Sequence, residues 1–271
     1  MDVFDVHRLD PRDLRDAVAL SAEAGWNQTE DDWRVFLARG AVFGIREDRR
    51  IVATAASLPY DAFGFVAMVL TTEARRGRGF ATRLLRRAIA ALTDAGLVAV
   101  LDATPAGRPV YQRQGFLPLH DLTRWRCPVV AACAENARTE DAAAPDLIAL
   151  DAAAFGSRRA FLFNDVLQRL HTAAIVEDDA FVLSRAGRLA THIGPLVAPD
   201  DAHATRLLDR ILHRIDGPAI IDVPARHATF CAALQARGFA PQRPFTRMAL
   251  GRDAPFGDPA RLFATAGPEF G

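Results

Sequence analysis

Lysine is missing from this sequence: all 33 basic residues are arginine, and they balance 33 acidic residues. The absence of lysine excludes Schiff-base chemistry and the lysine of a phosphate-binding P-loop, and with it a P-loop nucleotidase. The formal net charge of zero gives no sign of a polyanionic partner. The sequence therefore predicts no nucleic-acid and no membrane partner.

Cysteine and long apolar runs are also scarce. Cys127, Cys133 and Cys231 form no CxxC pair and have no paired histidine nearby, so neither a zinc site nor a disulfide framework is expected, and no metal is predicted. No stretch approaches the roughly 18 apolar residues of a membrane span. The first residues are acidic and polar, unlike a signal peptide, so we expect a cytoplasmic protein.

Periodic apolar residues predict the elements of the first half of the chain. A strand near the start leads into a helix with Leu14, Val18 and Ala22 on its apolar face. Two strands joined by a hairpin turn follow, and the continuous apolar run 63–71 is typical of a buried strand. A long amphipathic helix then presents Phe80, Leu84, Leu85, Ala88, Ile89 and Leu92 on one face. With a further strand and a short helix, the order is β-α-β-β-β-α-β-α, a mixed α/β domain.

The element pattern restarts in the second half of the chain, and two short matches support a duplication. "ATRLL" occurs at 81–85 and again at 204–208, an offset of 123 residues. The pair Gly115-Phe116 recurs at 238–239 with the same offset. Two matches at one offset, in the same element order, indicate an internal repeat.

The repeat predicts the domain organisation. Residues 131–145 are Ala-rich, polar and aperiodic, which is typical of a linker. We therefore expect a first domain at 1–130, the linker at 131–145 and a second domain at 146–271.

The stretch "ARRGRGFATRLL" (74–85) places glycines and arginines directly before the long helix. The first turn of a helix has amides without partners and a positive dipole end, and glycines let the preceding chain curl around an anion. Arg76 and Arg78 would add charge there. The segment predicts a diphosphate site; the alternative is a plain glycine turn with solvated arginines.

Two motifs in this half resemble those of the GCN5-related N-acetyltransferases (GNAT). Arg76-x-x-Gly79-x-Ala81 is similar to the family's R/Q-x-x-G-x-G/A signature, and Tyr111-x-x-x-Gly115-Phe is similar to its Y-x-x-x-G-F helix. The resemblance covers about residues 1–127 in element order. It implies an α/β fold of two tandem GNAT-like domains, each a mixed, mostly antiparallel twisted sheet flanked by helices.

The resemblance also implies acetyl-CoA as co-substrate. In the family, the strand before the loop splays from its neighbour and exposes backbone groups to the pantetheine, and the loop amides hold the pyrophosphate. The cofactor-binding residues would be Val69, Leu70, Thr71, Arg76, Gly77, Arg78, Gly79, Phe80, Ala81, Thr82 and Thr104. Thr104 stands where the family often has an asparagine.

The resemblance implies Tyr111 as general acid for the CoA thiolate. Many family members use a strand glutamate as general base, directly or through water, and the corresponding strand here offers only Asp102. The alternative for Asp102 is a cap on the following turn, and the alternative for Tyr111 is a half-buried helix tyrosine. A base could instead come from the acidic run at 30–32, which consists of Glu30, Asp31 and Asp32. An already neutral amine with a water chain would need no base residue.

The acceptor site implied by the resemblance lies in the early helical region and includes Trp26, Asn27, Asp32 and Trp33. For the tryptophans the alternative is simple packing. For the acidic residues it is a solvated helix start with Thr29 as N-cap.

The second copy has lost the motif residues. At the constant offset, Gly77 maps to Asp200, Gly79 to Ala202 and Tyr111 to Leu234. This copy is predicted neither to bind acetyl-CoA in this way nor to catalyse; Asp200 and Asp201 would cap a helix. It would close the acceptor site of the first copy or serve as a packing partner, with the apolar stretch 261–271 docked.

These observations favour an acetyl-CoA-dependent N-acetyltransferase. The acceptor would be a primary amine of a small molecule, an amino acid or a peptide, attacking the thioester directly in a ternary complex. The alternative is a non-catalytic acyl-CoA sensor or interaction module. A monomer or a homodimer is expected.

Overall fold

The structure is a computed structural model that describes residues 4–130 and 144–271, with side chains from 147 in the second range. The chain forms two compact units, Met1–Leu101 and Asp102–Gly271. The predicted linker lies mostly outside the described residues, and its last two residues belong to a helix. The division into repeats at 1–130 and 146–271 stays a prediction about the sequence, distinct from this spatial division.

The first unit contains five strands, three α-helices and two single-turn 3-10 helices among its described residues. In chain order, the strands and α-helices are β1 (Val6–Arg8), α1 (Leu14–Glu23), α2 (Glu30–Arg39), β2 (Ala41–Glu47), β3 (Arg50–Pro59), β4 (Phe63–Thr71), α3 (Phe80–Thr93) and β5 (Val98–Ala103), whose last two residues belong to the second unit. The strands lie in their order in the chain, antiparallel except for the parallel pair β4 and β5.

Local sequence explains most of this unit. The β2–β3 hairpin turns at Asp48 and Arg49, both with positive φ, which matches the twist of the two strands. The helix α3 buries Phe80, Leu84, Leu85, Ala88 and Leu92, five of the six residues of its predicted face. The chain leaves the helix at Gly96, whose φ of 75° permits the reversal.

The predicted apolar face of α1 is wrong. Leu14, Val18 and Ala22 are only half-buried, while Ala17, Leu20 and Ser21 face the core. The reason is a polar contact in the core: the indole N–H of Trp33 donates to Ser21 Oγ over 3.0 Å. A buried serine with such a partner breaks the apolar periodicity on which the prediction depended.

The second unit contains the rest of the described elements. They are α4 (Arg108–Gln112), β6 (Phe116–Val130), α5 (Ala144–Phe155), α6 (Ala160–Val166), β7 (Ala173–Glu177), β8 (Ala180–Arg185), β9 (Thr191–Val197), α7 (Asp201–Leu212), β10 (Gly217–Pro224), α8 (Ala228–Ala236), β11 (Ala240–Leu250) and β12 (Leu262–Ala264). Its sheet has the order β11-β6-β10-β9-β8-β7, and β12 pairs with β9.

Sequence analysis missed the longest strand, β6, which follows the first copy of the Tyr111 motif. This strand pairs antiparallel with β10 on one side and with β11 on the other, both from the second repeat. Its burial alternates irregularly, and Pro118 and Pro128 interrupt its sequence. The pairing that makes it a strand comes from residues about a hundred positions away, so its own pattern carries little signal.

One face of this second sheet packs on α7 and α8 in a continuous apolar core. Leu207, Leu208 and Ile211 of α7 are fully buried there against Ile221 and Val223 of β10. The predicted docking of the stretch 261–271 is confirmed, since most of its side chains are buried.

Candidate functional site

The pair β4 and β5 opens at one end. Their parallel pairing covers only Phe63–Phe65 against Val98–Val100, although β4 continues to Thr71. The separation of β4 from its neighbouring strand, which the family resemblance implies, is therefore confirmed. Beyond Phe65, the described residues of β4 and β5 no longer pair, and parallel strands that separate leave backbone donors and acceptors on their facing edges.

A bulge in β4 lies within this open stretch. Ala67 pairs with Ala56 and Leu70 with Thr54, so β4 holds an extra residue between these pairs. Met68 has a φ of 53°, and its carbonyl accepts a hydrogen bond of 2.9 Å from the Thr54 hydroxyl. The bulge bends the strand and redirects the backbone of Val69, the first predicted cofactor contact.

The loop between β4 and α3 carries two glycines in the left-handed conformation. Gly77 and Gly79 both have a φ of 78°, which side-chain-bearing residues rarely adopt. Gly79 is the N-cap of α3 and offers no side chain to the amides of the first turn. The helix therefore presents the amides of Phe80, Ala81 and Thr82, together with the positive end of its dipole, at the loop.

Arg78 is anchored beside this loop. Its guanidinium donates to Glu47 Oε1 over 2.8 Å and lies 5.1 Å from the ring centre of Phe80. Arg75 donates to the other oxygen of Glu47. Two arginines thus share one carboxylate at the end of β2, which holds the loop against the sheet.

A second carboxylate braces the start of the loop. Glu23 accepts hydrogen bonds from the Thr72 hydroxyl and from the Glu73 amide. The pKa of Glu23 is lowered, first by the Glu73 amide, then by the Thr72 hydroxyl, with a smaller effect of the exposed Arg76. Sequence analysis missed Glu23 and Glu47, because each is far from the loop in the chain and follows no local pattern.

The outer face of α3 next to the loop is basic. Arg83, Arg86 and Arg87 line an open depression together with Gly79 and Thr82. These guanidinium groups attract anions in the solvent near the first turn of the helix.

Tyr111 belongs to the second unit, in α4. Burial raises the pKa of its hydroxyl to about 12, so the phenol stays protonated throughout the neutral range. Its ring centre lies 6.1 Å from that of Phe116, edge to face. A side chain at Gly107 would meet the ring at 2.9 Å, so the turn before α4 approaches the tyrosine closely.

Asp102 forms a buried ion pair in the same unit. Its side chain is 0% exposed, and both carboxylate oxygens accept from Arg247 at 2.8 Å. Burial raises its pKa, and Arg247 partly opposes that effect. The alternative role as a turn cap is wrong: the Thr104 hydroxyl accepts from the Gly107 amide at 3.2 Å instead. Thr104, one of the predicted cofactor contacts, thus caps the turn.

The predicted acceptor residues fall into two groups. Trp26 and Asn27 are half-buried, whereas Trp33 is 0% exposed in the core. Asp32 is buried and completes a capping box, because its carboxylate accepts from the Thr29 amide at 2.9 Å. The expectation that Thr29 is the N-cap of α2 is therefore confirmed.

The side chains of the acidic residues beside Asp32 are about half exposed to solvent. Glu30 and Asp31 both pair with Arg34 one turn further along α2. An exposed helix pair of this kind is a weak, solvated interaction.

The second copy lacks the loop altogether. The strand β9 ends at Val197 and α7 begins at Asp201, so only residues 198–200 stand where the first copy has 72–79. The constant-offset mapping of loop residues is therefore wrong. Asp200 is the N-cap of α7, as predicted, with its carboxylate accepting from the His203 amide at 2.9 Å, whereas Asp201 lies in the first turn. Leu234, the counterpart of Tyr111, is fully buried.

The splayed parallel strand pair and the glycine loop at the start of an amphipathic helix agree with the arrangement that the GNAT resemblance implies. The chain belongs to the GNAT family. Residues 5–116 match the model described as the acetyltransferase (GNAT) family, and residues 147–264 match that of an acetyltransferase (GNAT) domain. It is therefore a tandem GNAT protein, and its family supports acyl transfer as its general activity.

Relatives of similar length support this assignment. The chain is 24% identical over 252 residues to the uncharacterized N-acetyltransferase YitH of Bacillus subtilis (strain 168), covering 88% of this chain and 89% of YitH. Its fold matches a putative acetyltransferase from Pyrococcus horikoshii with a TM-score of 0.84 at 15% identity, over 100% and 97% of the two chains. A tandem GNAT protein from the clavulanic acid biosynthesis pathway matches with a TM-score of 0.62 at 16% identity, over 91% and 98%.

Residues 4–130 and 144–271 hold no cluster of side chains suited to a metal ion. None of the helices described there is long and apolar enough to cross a membrane. Cys127 and Cys231 are free thiols.

Proposed function

We propose that this chain is an N-acetyltransferase that uses acetyl-CoA and transfers the acetyl group to a primary amine of a small molecule, an amino acid or a peptide. The observation that carries the proposal is the opening of β4 from β5 beyond Phe65, continuous with a loop that curls at Gly77 and Gly79 onto the start of α3.

The cofactor would be held mainly by backbone groups of the first unit. The pantetheine arm is extended and carries amides, so it suits the open edge of β4 at 69–71. The pyrophosphate suits the amides of 77–82, where the dipole of α3 adds a positive field. Because Arg78 is paired with Glu47, its role is to shape the loop as well as to add charge. Arg76, Arg83 and Arg86 supply a wider positive field for the remaining phosphate.

The reaction would be a direct transfer in a ternary complex. The amine nitrogen attacks the thioester carbonyl carbon, a C–N bond forms, and the C–S bond breaks with its electron pair on sulfur. The amine loses one proton, and the CoA thiolate gains one. No covalent acyl-enzyme intermediate is needed.

Tyr111 would assist as a hydrogen-bond donor. A thiol has a pKa of about 8.5, so complete transfer of a proton from a phenol of pKa about 12 is uphill by roughly 3.5 units, or about 5 kcal/mol. The phenol therefore stabilises the thiolate through its O–H, and the final proton comes from the amine or from solvent. This role needs a protonated tyrosine, which the raised pKa provides.

Asp102 is retained as the candidate general base. Its pairing with Arg247 uses one lone pair on each oxygen, and because its side chain is 0% exposed, it would take the amine proton through a bridging water. Its raised pKa makes it a better proton acceptor than an ordinary aspartate. Trp26 and Asn27 are proposed as acceptor contacts, while Trp33 and Asp32 would support them through packing and the helix cap.

A non-catalytic acyl-CoA sensor is the second candidate function. The ion pair of Asp102 with Arg247 favours this candidate, because binding to a buried arginine explains the buried aspartate without a role in catalysis. The cytoplasmic location and a monomeric or homodimeric state stay predictions from the sequence.

Two measurements on the full chain separate these candidates. Titration calorimetry with acetyl-CoA tests binding, and loss of the thioester absorbance with pooled amines tests transfer. Binding and amine-dependent loss support the transferase. Binding without turnover across a broad panel of amines supports the sensor, and no binding contradicts both.

A further inference from the structure

The second copy repeats the opening of the parallel strand pair. Its β9 and β10 pair only at Thr191–Ile193 against Ala219–Ile221, while both strands continue further. The remainder of β9 and the end of β10 thus form a gap equivalent to that between β4 and β5.

A segment of the chain itself fills this gap. In β12, Leu262 pairs with Val197 and Ala264 with Leu196, on the edge of β9 that β10 has left. The next residue, Thr265, donates its amide to the Asp222 carbonyl of β10 over 3.0 Å. The segment therefore satisfies backbone groups on both strands, as an extended ligand between them would. We call residues 262–271 the plug segment.

The fit between the plug segment and β9 is close. A Cβ atom at Gly194 would lie 2.1 Å from the Thr265 carbonyl oxygen, a distance that only a glycine permits. Thr265 itself is 0% exposed. The backbone of β9 is thus adapted to the segment that lies beside it.

Side chains anchor the first part of the plug segment. The ring of Phe263 stacks on His227 with 3.9 Å between centres and meets Phe230 edge to face at 5.5 Å. The Nε2 atom of His227 lies 3.0 Å from the Leu262 carbonyl, to which it donates in the matching tautomer.

Two buried arginines hold its far part. Arg185 donates to the Ala266 carbonyl at 3.0 Å. Arg159 donates to the carbonyl oxygens of Phe270 and Gly271 at 2.8 and 2.6 Å. Phe270 is 0% exposed. The plug segment is therefore fixed along its whole length.

We propose that the plug segment occupies, in the second copy, the groove that in the first copy receives the pantetheine arm, so that each chain binds a single acyl-CoA. This inference rests on the proposed function for the first copy. The short connection 198–200 supports it, because it leaves no loop for a pyrophosphate at the mouth of the second groove. The segment acts as a built-in ligand that completes the second sheet.

The number of acetyl-CoA sites per chain tests the inference by titration calorimetry on the full chain. One site is expected. Two sites would overturn the inference and leave the proposed function intact, whereas no site would contradict the proposed function itself. Replacing Gly77 and Gly79 by alanine should weaken the single site by roughly a hundredfold, because each alanine costs about 1 to 2 kcal/mol at a positive φ. A site that keeps wild-type affinity in that variant would lie outside the first-copy loop and would overturn the inference.

Hydrogen exchange gives a second readout that needs no activity. Saturating acetyl-CoA is expected to protect amides of the loop 72–79 and to leave the plug segment unchanged. Faster exchange in 262–271 on adding acetyl-CoA would mean that the cofactor displaces the segment, and would overturn the inference.

A pair of glycine variants tests the close fit. Gly194→Ala should speed exchange at the Thr265 amide by roughly tenfold or more, because the new methyl group meets the Thr265 carbonyl. Gly217→Ala is the matched control: Gly217 also has a positive φ, of 96°, but a Cβ there would meet nothing within 4 Å. Equal exchange at Thr265 in the two variants would overturn the proposed fit.

Discussion

Replacing Arg247 by methionine is expected to destabilise the protein strongly, because it leaves the Asp102 carboxylate buried without a cation. The side chain of Asp102 is 0% exposed and that of Arg247 6%, and two hydrogen bonds of 2.8 Å join them. Removing one partner of such a pair costs about 3 to 5 kcal/mol. Methionine keeps an apolar stem of similar reach, so the loss measures the charge rather than a cavity.

The pH dependence of this loss follows from the pKa of Asp102. Burial raises that pKa, and Arg247 opposes the rise, so the variant has a still higher folded pKa than the wild type. A raised carboxyl pKa stabilises the folded state below the unfolded value and costs stability as pH rises through the folded value. The deficit of Arg247→Met is therefore small in acid and reaches its full size toward neutral pH.

The double variant Asp102→Asn with Arg247→Met removes both charges and should recover most of the stability. Urea unfolding of the wild type, the single variant and the double variant gives their free energies of unfolding at acidic and at neutral pH. The same double variant tests the ion pair in catalysis: a stable but inactive protein shows that turnover needs the Asp102–Arg247 pair. No recovery in the double variant, or an equal deficit at both pH values, would refute the reasoning.

Three further outcomes are expected at other positions. Gly79→Ala should weaken acetyl-CoA binding by roughly tenfold in calorimetry, because a φ of 78° costs alanine about 1 to 2 kcal/mol. Gly96→Ala is the control: Gly96 has a φ of 75° but lies beyond the far end of α3, so its replacement should leave the binding unchanged. Tyr111→Phe should lower kcat by about a hundredfold with unchanged acetyl-CoA affinity, and equal kcat in this variant and in Tyr60→Phe would remove Tyr111 from the mechanism. Trp33→Ala should lower the free energy of unfolding by about 3 to 5 kcal/mol, and a fully stable variant would contradict its place in the core.

Sequence reasoning worked where the structure depends on local pattern. The buried strand β4 and the helix α3 follow from an apolar run and a helical period, and the loop between them follows from Gly77 and Gly79. These features need no knowledge of distant residues, because backbone conformation and one-sided burial determine them.

Sequence reasoning failed where a strand or side chain depends on a contact with residues far away in the chain. The strand β6 depends on β10 and β11, and the buried Ser21 depends on the indole of Trp33. Asp102 is another example, since Arg247 lies 145 residues further along. The prediction for the loop of the second copy was wrong for a different reason. An alignment at one constant offset cannot show that the connection before α7 is shorter than the connection before α3.

The place of β6 decides whether the two repeats can be separated. A fragment that begins at residue 146 would lack the strand that joins β10 to β11, and a fragment that ends at 130 would keep β6 without either neighbour. The two gene halves are thus not two separable folding modules. Deleting the second repeat would therefore leave both edges of β6 without the strands that pair with them.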